Sequence, residues 1–200
     1  MRAMGIMGGT FDPIHYGHLL AAEAAREALG LEEIWFVPCG QPALPKAEPP
    51  CAGHHRYSMT VLATVTHPQF RVSRVELDRP GPSYAVDTVR FFRTEVAPEA
   101  EWYFITGADA LAQLPEWYEY RTLLHLCHFV AVTRPGYDAE EFRQQLAAEI
   151  APQVQTLRTP GVDISSSEIR ERVRTGRSIR YLTPDPVAAY IYKHRLYLAG

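Results

Sequence analysis

Cysteines are few in this sequence and long apolar runs are absent, and each shortage argues against a class of protein. The three cysteines, Cys39, Cys51 and Cys127, are an odd number without the paired spacing of a disulfide framework. No apolar run approaches the roughly 20 residues that span a bilayer. The amino-terminal stretch lacks the small-residue cleavage site of a signal peptide. We therefore expect a cytoplasmic protein without a membrane partner.

An excess of positive charge is also missing. Lysine and arginine number 20 against 23 aspartates and glutamates, which gives a net charge of −3. Such a balance offers no general attraction to nucleic acid, so we expect no nucleic-acid partner, and an anionic ligand would need local groups to hold it. At 200 residues, 46% of them hydrophobic, a single domain over 1–200 is expected.

Several familiar motifs are absent as well. The chain contains no GxGxxG dinucleotide fingerprint, no GxxxxGK[ST] phosphate loop and no HExxH zinc motif. Cys51, His54 and His55 lie close together, but one cysteine beside two adjacent histidines is no zinc signature. Hydride transfer, P-loop chemistry and a protein-held metal therefore have no motif in their favour.

Apolar runs and helical periods alternate along the chain. Strands are expected at 2–7, 33–37, 70–77, 102–106, 128–133 and 154–158. Helices are expected at 18–29, 55–66, 83–96, 115–126, 138–150, 166–175 and 184–194, and a proline-rich loop at 38–53. This alternation predicts an α/β protein with a Rossmann-like, doubly wound parallel sheet, helices on both faces and a small C-terminal helical part. Ligands of such sheets bind beyond the carboxyl ends of the strands.

The first candidate site is GGTFDPIHYGHL at 8–19, where a strand gives way to a helix. Its glycine pair lets backbone amides approach a ligand, and Asp12-Pro13 favours a turn. His15 and His18 stand at i and i+3, which places them on one side of the first helical turn, where an anion is already favoured. A capping histidine and a metal ligand are the alternatives that this stretch leaves open.

The second candidate is ISSSEIR at 164–170. Ser165 and Glu168 have capping-box spacing. Capping does not explain the further hydroxyls of Ser166 and Ser167 or the guanidinium of Arg170, which suit a polyphosphate at a helix start.

Together the two motifs resemble the nucleotidyltransferase superfamily marked by HxGH, and within it the bacterial nicotinate mononucleotide adenylyltransferases. The similarity runs nearly end to end, through PSYAVDT at 82–88, GADALAQLPEWYEYRTLL at 107–124 and TRPGY at 133–137. It implies adenylyl transfer from ATP to nicotinate mononucleotide, giving nicotinate adenine dinucleotide and pyrophosphate, with Mg²⁺ carried on the ATP phosphates. The attacking phosphate oxygen is already ionised, so alignment and charge stabilisation suffice.

The resemblance also implies roles for individual residues. Those expected at ATP are Gly8, Gly9, Thr10, Phe11, His15, His18, Gly107, Asp109, Arg134, Ile164, Ser166, Ser167 and Arg170, with His15, His18 and Arg170 as the catalytic ones. Those expected at the acceptor are Lys46, Tyr84, Ala85, Trp117 and Tyr118. From the residues alone, Asp109 could instead cap a helix, Arg134 could be a surface charge, and Trp117 could be a core side chain.

Two departures from the family pattern bear on the acceptor. Ala85 stands where the family has the threonine of an SYT motif, so a hydroxyl beside the nicotinate pocket is missing. The family's PPHK loop reads Ala43-Leu44-Pro45-Lys46 here, which keeps only the basic residue. Position 85 therefore does not tell an acid acceptor from an amide acceptor.

Several alternatives remain beside this interpretation. Nicotinamide mononucleotide and phosphopantetheine are other acceptors of the superfamily, and a cytidylyltransferase would share GTFD and HxGH but not the 107–124 block. A non-catalytic nucleotide-binding module would be expected to lose a motif histidine or the serine cluster. A fragment of a class I aminoacyl-tRNA synthetase is disfavoured because no KMSKS-like loop occurs. Homo-oligomerisation is left open.

Overall fold

A computed structural model of the chain describes residues 2–44, 50–133, 142, 144, 146, 149–159 and 161–198. Six parallel strands form its main sheet: β1 (Ala3–Gly9), β2 (Glu33–Pro38), β4 (Phe70–Val72), β6 (Glu101–Gly107), β7 (His128–Thr133) and β8 (Val154–Arg158). Two short strands, β3 (Gln41–Pro42) and β5 (Pro82–Ser83), pair with each other away from it. The expected parallel α/β sheet is confirmed.

The helices connect the strands and extend the fold beyond β8. They are α1 (Tyr16–Leu29), α2 (Gly53–Thr64), α3 (Val75–Asp78), α4 (Ala85–Phe91), α5 (Ala108–Leu111), α6 (Tyr120–Leu126), α7 (Ser166–Arg174) and α8 (Asp185–Lys193). A π-helical turn, Phe92–Val96, continues α4, and 3₁₀ turns lie at Leu114–Glu116 and Ala151–Gln153. The helix expected over 138–150 falls mainly on residues outside those described.

The strand order is β4-β2-β1-β6-β7-β8. The chain therefore builds outward from β1 in one direction and then outward from β6 in the other. The order reverses between these two neighbouring strands, which are paired from Ala3–Glu101 to Met7–Ile105. A crevice opens at the carboxyl ends of strands at such a switch point, and it is the usual ligand site of the fold.

Both faces of the sheet are covered. Phe104 and Phe129 belong to one cluster of buried side chains, whereas their neighbours Ile105 and Val130 belong to another. Because successive side chains of a strand point to opposite faces, the two clusters fill opposite sides of the sheet. This is why the central strands are apolar throughout rather than alternating.

The expected strand over 70–77 is wrong in its second half. β4 ends at Val72, and the chain then forms the helical turn α3. Ser73 Oγ accepts the N–H of Val75 at 3.2 Å and so starts the turn, while Arg74 pairs with Asp78 at 2.8 Å across it. A local hydroxyl and an i, i+4 ion pair outweigh the apolar alternation there.

Other expected elements differ at their ends, α1 and the 115–126 region among them. α1 begins at Tyr16 rather than at residue 18, because His15 already occupies the N-cap position with extended backbone. The helical region expected over 115–126 is two elements, since Glu119 has a φ of 49° and separates the 3₁₀ turn from α6.

None of the helices in the described part of the chain combines the length and the apolar character that crossing a membrane requires.

Candidate functional site

Two cavities meet at the switch point between β1 and β6. The histidine cavity, about 250 Å³, is lined by Met7, Gly8, His15, Gly17, His18, Leu20, Ala21, Ile105, Thr106, Gly107, Val132, Thr159, Gly161, Val162 and Ile164. The aromatic cavity, about 420 Å³, is lined by Gly8, Gly9, Thr10, Cys39, Pro42, Ala43, Leu44, Glu76, Ser83, Tyr84, Ala85, Phe104, Thr106, Ala110, Gln113, Glu116, Trp117 and Tyr118. Gly8 and Thr106 line both, so the two cavities are halves of one crevice.

The histidine pair is tightly ordered at the start of α1. The His15 and His18 rings stack with centroids 3.7 Å apart, and the Phe11 and His18 rings meet edge to face with centroids 5.1 Å apart. The His15 backbone N–H donates to His18 Nδ1 at 3.2 Å. A neutral His18 ring therefore carries its proton on Nε2, where it acts as a hydrogen-bond donor.

The glycine between the histidines leaves little clearance for a larger residue. A Cβ on Gly17 would lie 3.0 Å from both Cε1 and Nδ1 of His15, whose side chain is buried. Gly9 is similarly constrained, because its Cβ would lie 2.8 Å from the Phe11 ring. The glycines thus allow rings and backbone to pack closely where β1 ends.

The second motif braces the first directly. Ser165 caps α7 by accepting the Glu168 N–H at 3.1 Å, as the capping-box spacing predicts. Ser166 Oγ donates to the Pro13 carbonyl at 2.9 Å, and Arg170 Nη1 donates to the Asp12 carbonyl at 2.9 Å. The start of α7 and the histidine loop are therefore one unit, although more than 150 residues separate them in sequence.

Aromatic rings form the walls of the second cavity. Tyr84 and the half-exposed Tyr118 face each other with ring centroids 4.4 Å apart. Trp117 meets Phe104 edge-on at 5.7 Å and packs against the core, yet it also lines the cavity. The core and the ligand-stacking interpretations of Trp117 are therefore compatible.

A buried carboxyl stands in the wall of the aromatic cavity. Glu76 is 7% exposed, and its Oε1 accepts the Thr88 hydroxyl at 2.6 Å. Burial raises the pKa of Glu76, against the opposing effect of hydrogen bonds from Thr88 and Ser83. Ser83 Oγ in turn accepts the Gly40 N–H at 2.9 Å. This carboxyl therefore ties α3 to β5, to α4 and to the loop after β2.

A buried guanidinium joins three loops beneath the crevice. Arg56 is 1% exposed and donates to the carbonyls of Thr10 at 2.8 Å, Cys51 at 2.9 Å and Gly40 at 3.3 Å. Thr10 lines the aromatic cavity and Gly40 follows Cys39, which also lines it, so this one side chain ties the loops after β1 and β2 to the segment before α2.

The structure places most of the candidates in the crevice. Those lining the histidine cavity are Gly8, His15, His18, Gly107 and Ile164. Those lining the aromatic cavity are Gly8, Gly9, Thr10, Tyr84, Ala85, Trp117 and Tyr118. The other described candidates, Phe11, Asp109, Ser166, Ser167 and Arg170, do not line either cavity. Lys46 and Arg134 lie outside the described residues.

The candidates beyond the cavity walls have identifiable surroundings. Phe11 is buried in the core beside His18. Asp109 is exposed in the first turn of α5. Arg170 Nη2 lies 3.4 Å from Ser167 Oγ, beside the histidine loop. Their roles toward a ligand stay predictions.

Sequence reasoning missed Arg56 and Glu76. Arg56 shares the buried face of α2 with Met59, Thr60 and Thr64, a helical spacing that could have revealed it. Glu76 lies in the segment expected to be a strand, so no local pattern marked it.

Among the described residues, no group of three histidine, cysteine, aspartate or glutamate side chains is arranged to hold a metal ion. His55 Nδ1 instead pairs with the Tyr190 hydroxyl at 3.0 Å, and Cys51 Sγ lies 3.6 Å from the Tyr197 hydroxyl.

Comparison with known proteins gives consistent matches. A family model described as cytidylyltransferase-like matches residues 6–172. The chain is 50% identical over 197 residues to a Moorella thermoacetica protein named "Probable nicotinate-nucleotide adenylyltransferase", covering 97% of this chain and 91% of that one. It is 48% identical over 198 residues to a protein of the same name from Saccharopolyspora erythraea, covering 98% and 90%.

Solved structures share the fold. The Plasmodium falciparum nicotinic acid mononucleotide adenylyltransferase complexed with NaAD superimposes with a TM-score of 0.80 at 22% identity, covering 98% of each chain. The same protein complexed with APC gives a TM-score of 0.77.

Proposed function

The chain belongs to the family of the nicotinate-nucleotide adenylyltransferases, and from that premise we propose that its two-part crevice joins ATP to nicotinate mononucleotide. The observation that carries the proposal is that the histidine and aromatic cavities share Gly8 and Thr106. Two nucleotides bound side by side would bring their phosphates together at that junction. The reaction is adenylyl transfer to the acceptor phosphate, a step of NAD synthesis.

ATP suits the histidine cavity. His15, His18 and the N-terminus of α1 offer donors and a favourable dipole for the triphosphate. The apolar side chains of Ile105, Val132 and Ile164 offer a surface for the adenine. Because the net charge is −3, the attraction of so anionic a ligand rests on these local groups rather than on the whole protein.

The start of α7 supports the same site from the other side. The Arg170 guanidinium and the Ser167 hydroxyl lie beside the Asp12 and Pro13 backbone, close to the histidine pair. We propose that they add positive charge and donors for the phosphates. The roles of Asp109 and Arg134 toward the adenosine and the phosphates stay predictions.

The proposed reaction does not require a general base. A phosphate oxygen of the acceptor, already ionised, forms a bond to the α-phosphorus of ATP, and the α–β bridging bond breaks so that pyrophosphate leaves with its electron pair. Donors fixed in advance at the histidine loop stabilise the charge that develops on the phosphates. No carboxylate pair is needed for this step.

A divalent cation is expected with the nucleotide. Mg²⁺ prefers oxygen ligands and commonly binds through substrate phosphates, which fits donors that are chiefly imidazole, hydroxyl and guanidinium. When bound it would neutralise phosphate charge. The chain's own groups would orient the phosphates around it.

The acceptor suits the aromatic cavity. Trp117, Tyr84 and Tyr118 offer ring faces for a pyridine, and Ala85 opens α4 at this wall. Without a hydroxyl at position 85, recognition of a carboxylate would rely on backbone groups there. Lys46 stays a predicted contact of the acceptor phosphate. The odd number of cysteines, without paired spacing, supports a reducing compartment such as the cytoplasm.

The experiment compares acceptors and donors. Purified protein is incubated with Mg²⁺-ATP and nicotinate mononucleotide, nicotinamide mononucleotide or phosphopantetheine, and pyrophosphate release is followed. A further arm replaces ATP with CTP. We expect kcat/KM to be highest for ATP with nicotinate mononucleotide. Equal use of the amide nucleotide would overturn the acid preference, and faster reaction with CTP would overturn adenylyl transfer.

A further inference from the structure

The C-terminal segment reaches back under the histidine loop. α8 ends at Lys193, and Arg195 and Tyr197 then have φ values of 52° and 64°. Side chains other than glycine seldom adopt this left-handed region, so the tertiary contacts around these residues must outweigh its cost. The turn brings the Tyr197 side chain, largely removed from solvent, against the core beside the crevice.

The Tyr197 hydroxyl donates to Asp12 Oδ1 at 2.7 Å. Asp12 itself is 6% exposed, and its other oxygen, Oδ2, accepts the Cys51 N–H at 3.3 Å. The Cys51 thiol lies 3.6 Å from the same hydroxyl. Burial and the Asp12 carboxylate raise the pKa of Tyr197, and burial first, then Asp12, raises the pKa of Cys51 to about 12. Both groups therefore keep their protons at neutral pH.

Asp12 also lies where the histidine loop meets the start of α7. Its carbonyl accepts Arg170 Nη1, and the next carbonyl, of Pro13, accepts Ser166 Oγ. Ile14 O accepts the Thr183 hydroxyl at 2.7 Å, and His15 follows. The backbone of the loop is thus held by α7 and the segment before α8, whereas its one buried side-chain charge is held by Tyr197 and Cys51.

We propose that Tyr197 is a positioning residue for adenylyl transfer, because its hydroxyl fixes the Asp12 carboxylate and so sets the alignment of the histidine loop with Arg170. The proposal rests on the proposed function, since it concerns the ATP half of that site. Tyr197 is not one of the residues that line the histidine or the aromatic cavity. Its effect on the reaction is therefore exerted through Asp12. A buried carboxylate that loses a donor would shift toward another partner and carry the loop with it.

The test removes one atom. Tyr197→Phe keeps the ring and deletes the hydroxyl, and Tyr192→Phe on the exposed surface of α8 is the matched control. Below the unfolding temperature we expect Tyr197→Phe to lower kcat/KM for ATP about tenfold, the scale of one hydrogen bond to a charged group. The dissociation constant of Mg²⁺-ATP, measured by calorimetry, should rise by the same factor. The KM for nicotinate mononucleotide should stay within about twofold.

A double variant tests whether Tyr197 acts through its contact with Asp12. In an Asp12→Asn background, Tyr197→Phe should change kcat/KM by less than about twofold, because the contact is already weakened. A merely structural role would lower the unfolding temperature and the active fraction while leaving both KM values and the ATP dissociation constant unchanged. That result, or full additivity of the two changes, would overturn the inference. If wild type and Tyr192→Phe release no pyrophosphate, the proposed function fails, and the ATP dissociation constant alone decides the inference.

Discussion

At the scale of single residues, the crevice depends on small clearances around the histidine pair. The two rings stack at 3.7 Å, and Gly17 leaves the space that His15 occupies. The sequence alone allowed us to predict that the two histidines project together, because i and i+3 positions share a helix face. It did not allow us to predict that Asp12 meets Tyr197, since that contact joins residues 185 apart and leaves no local pattern.

Gly17→Ala tests whether the small space between position 17 and the His15 ring matters for the reaction. The added Cβ would press on His15 at 3.0 Å, and the buried ring, stacked on His18, has little room to move. We expect kcat to fall on the order of tenfold, because a small misplacement of a positioning group is costly in rate. The free energy of unfolding should fall less than the rate, because alanine is a better helix former than glycine and offsets part of the crowding. A variant with wild-type kcat would contradict the account of the stacked pair.

At the scale of elements, hydrophobic periodicity predicted the strands of the main sheet well and the short elements between them poorly. The expected strands at 128–133 and 154–158 and the helix at 166–175 agree closely with β7, β8 and α7, because apolar runs and a capping serine mark them. The stretch after β4 was predicted wrongly, since its helical turn depends on Ser73 and on the burial of Glu76. Long-range partners decide such segments, and the sequence does not display them.

Glu76→Gln tests whether α3 shapes the acceptor cavity. The amide keeps the volume but changes the hydrogen bonds with Thr88 and Ser83, which hold α4 and β5 beside Tyr84 and Ala85. We expect the KM for nicotinate mononucleotide to rise on the order of tenfold, with the KM for ATP within about twofold. Glu99→Gln, at an exposed position outside both cavities, is the control. Equal changes in both KM values would show that Glu76 supports the whole crevice instead.

At the scale of the whole molecule, segments far apart in the sequence build the histidine half of the crevice, whereas the middle of the chain supplies most of the aromatic half. The histidine cavity combines β1 and α1 with residues before α7, whereas the aromatic cavity draws mainly on residues 76–118. The expected doubly wound sheet predicted a ligand site beyond the carboxyl ends of its strands. The junction at Gly8 and Thr106 could not be predicted, because it depends on how neighbouring strand ends meet in space.

We propose adenylyl transfer in this crevice, with the histidine loop holding the triphosphate. Its most direct test is pyrophosphate release by His18→Ala at saturating Mg²⁺-ATP and nicotinate mononucleotide, with wild type and the exposed His54→Ala as controls. We predict that both controls turn over and that His18→Ala is slower on the order of 10²–10³, while calorimetry shows nicotinate mononucleotide still bound. Near-normal release by His18→Ala, or no release by wild type, would contradict the account.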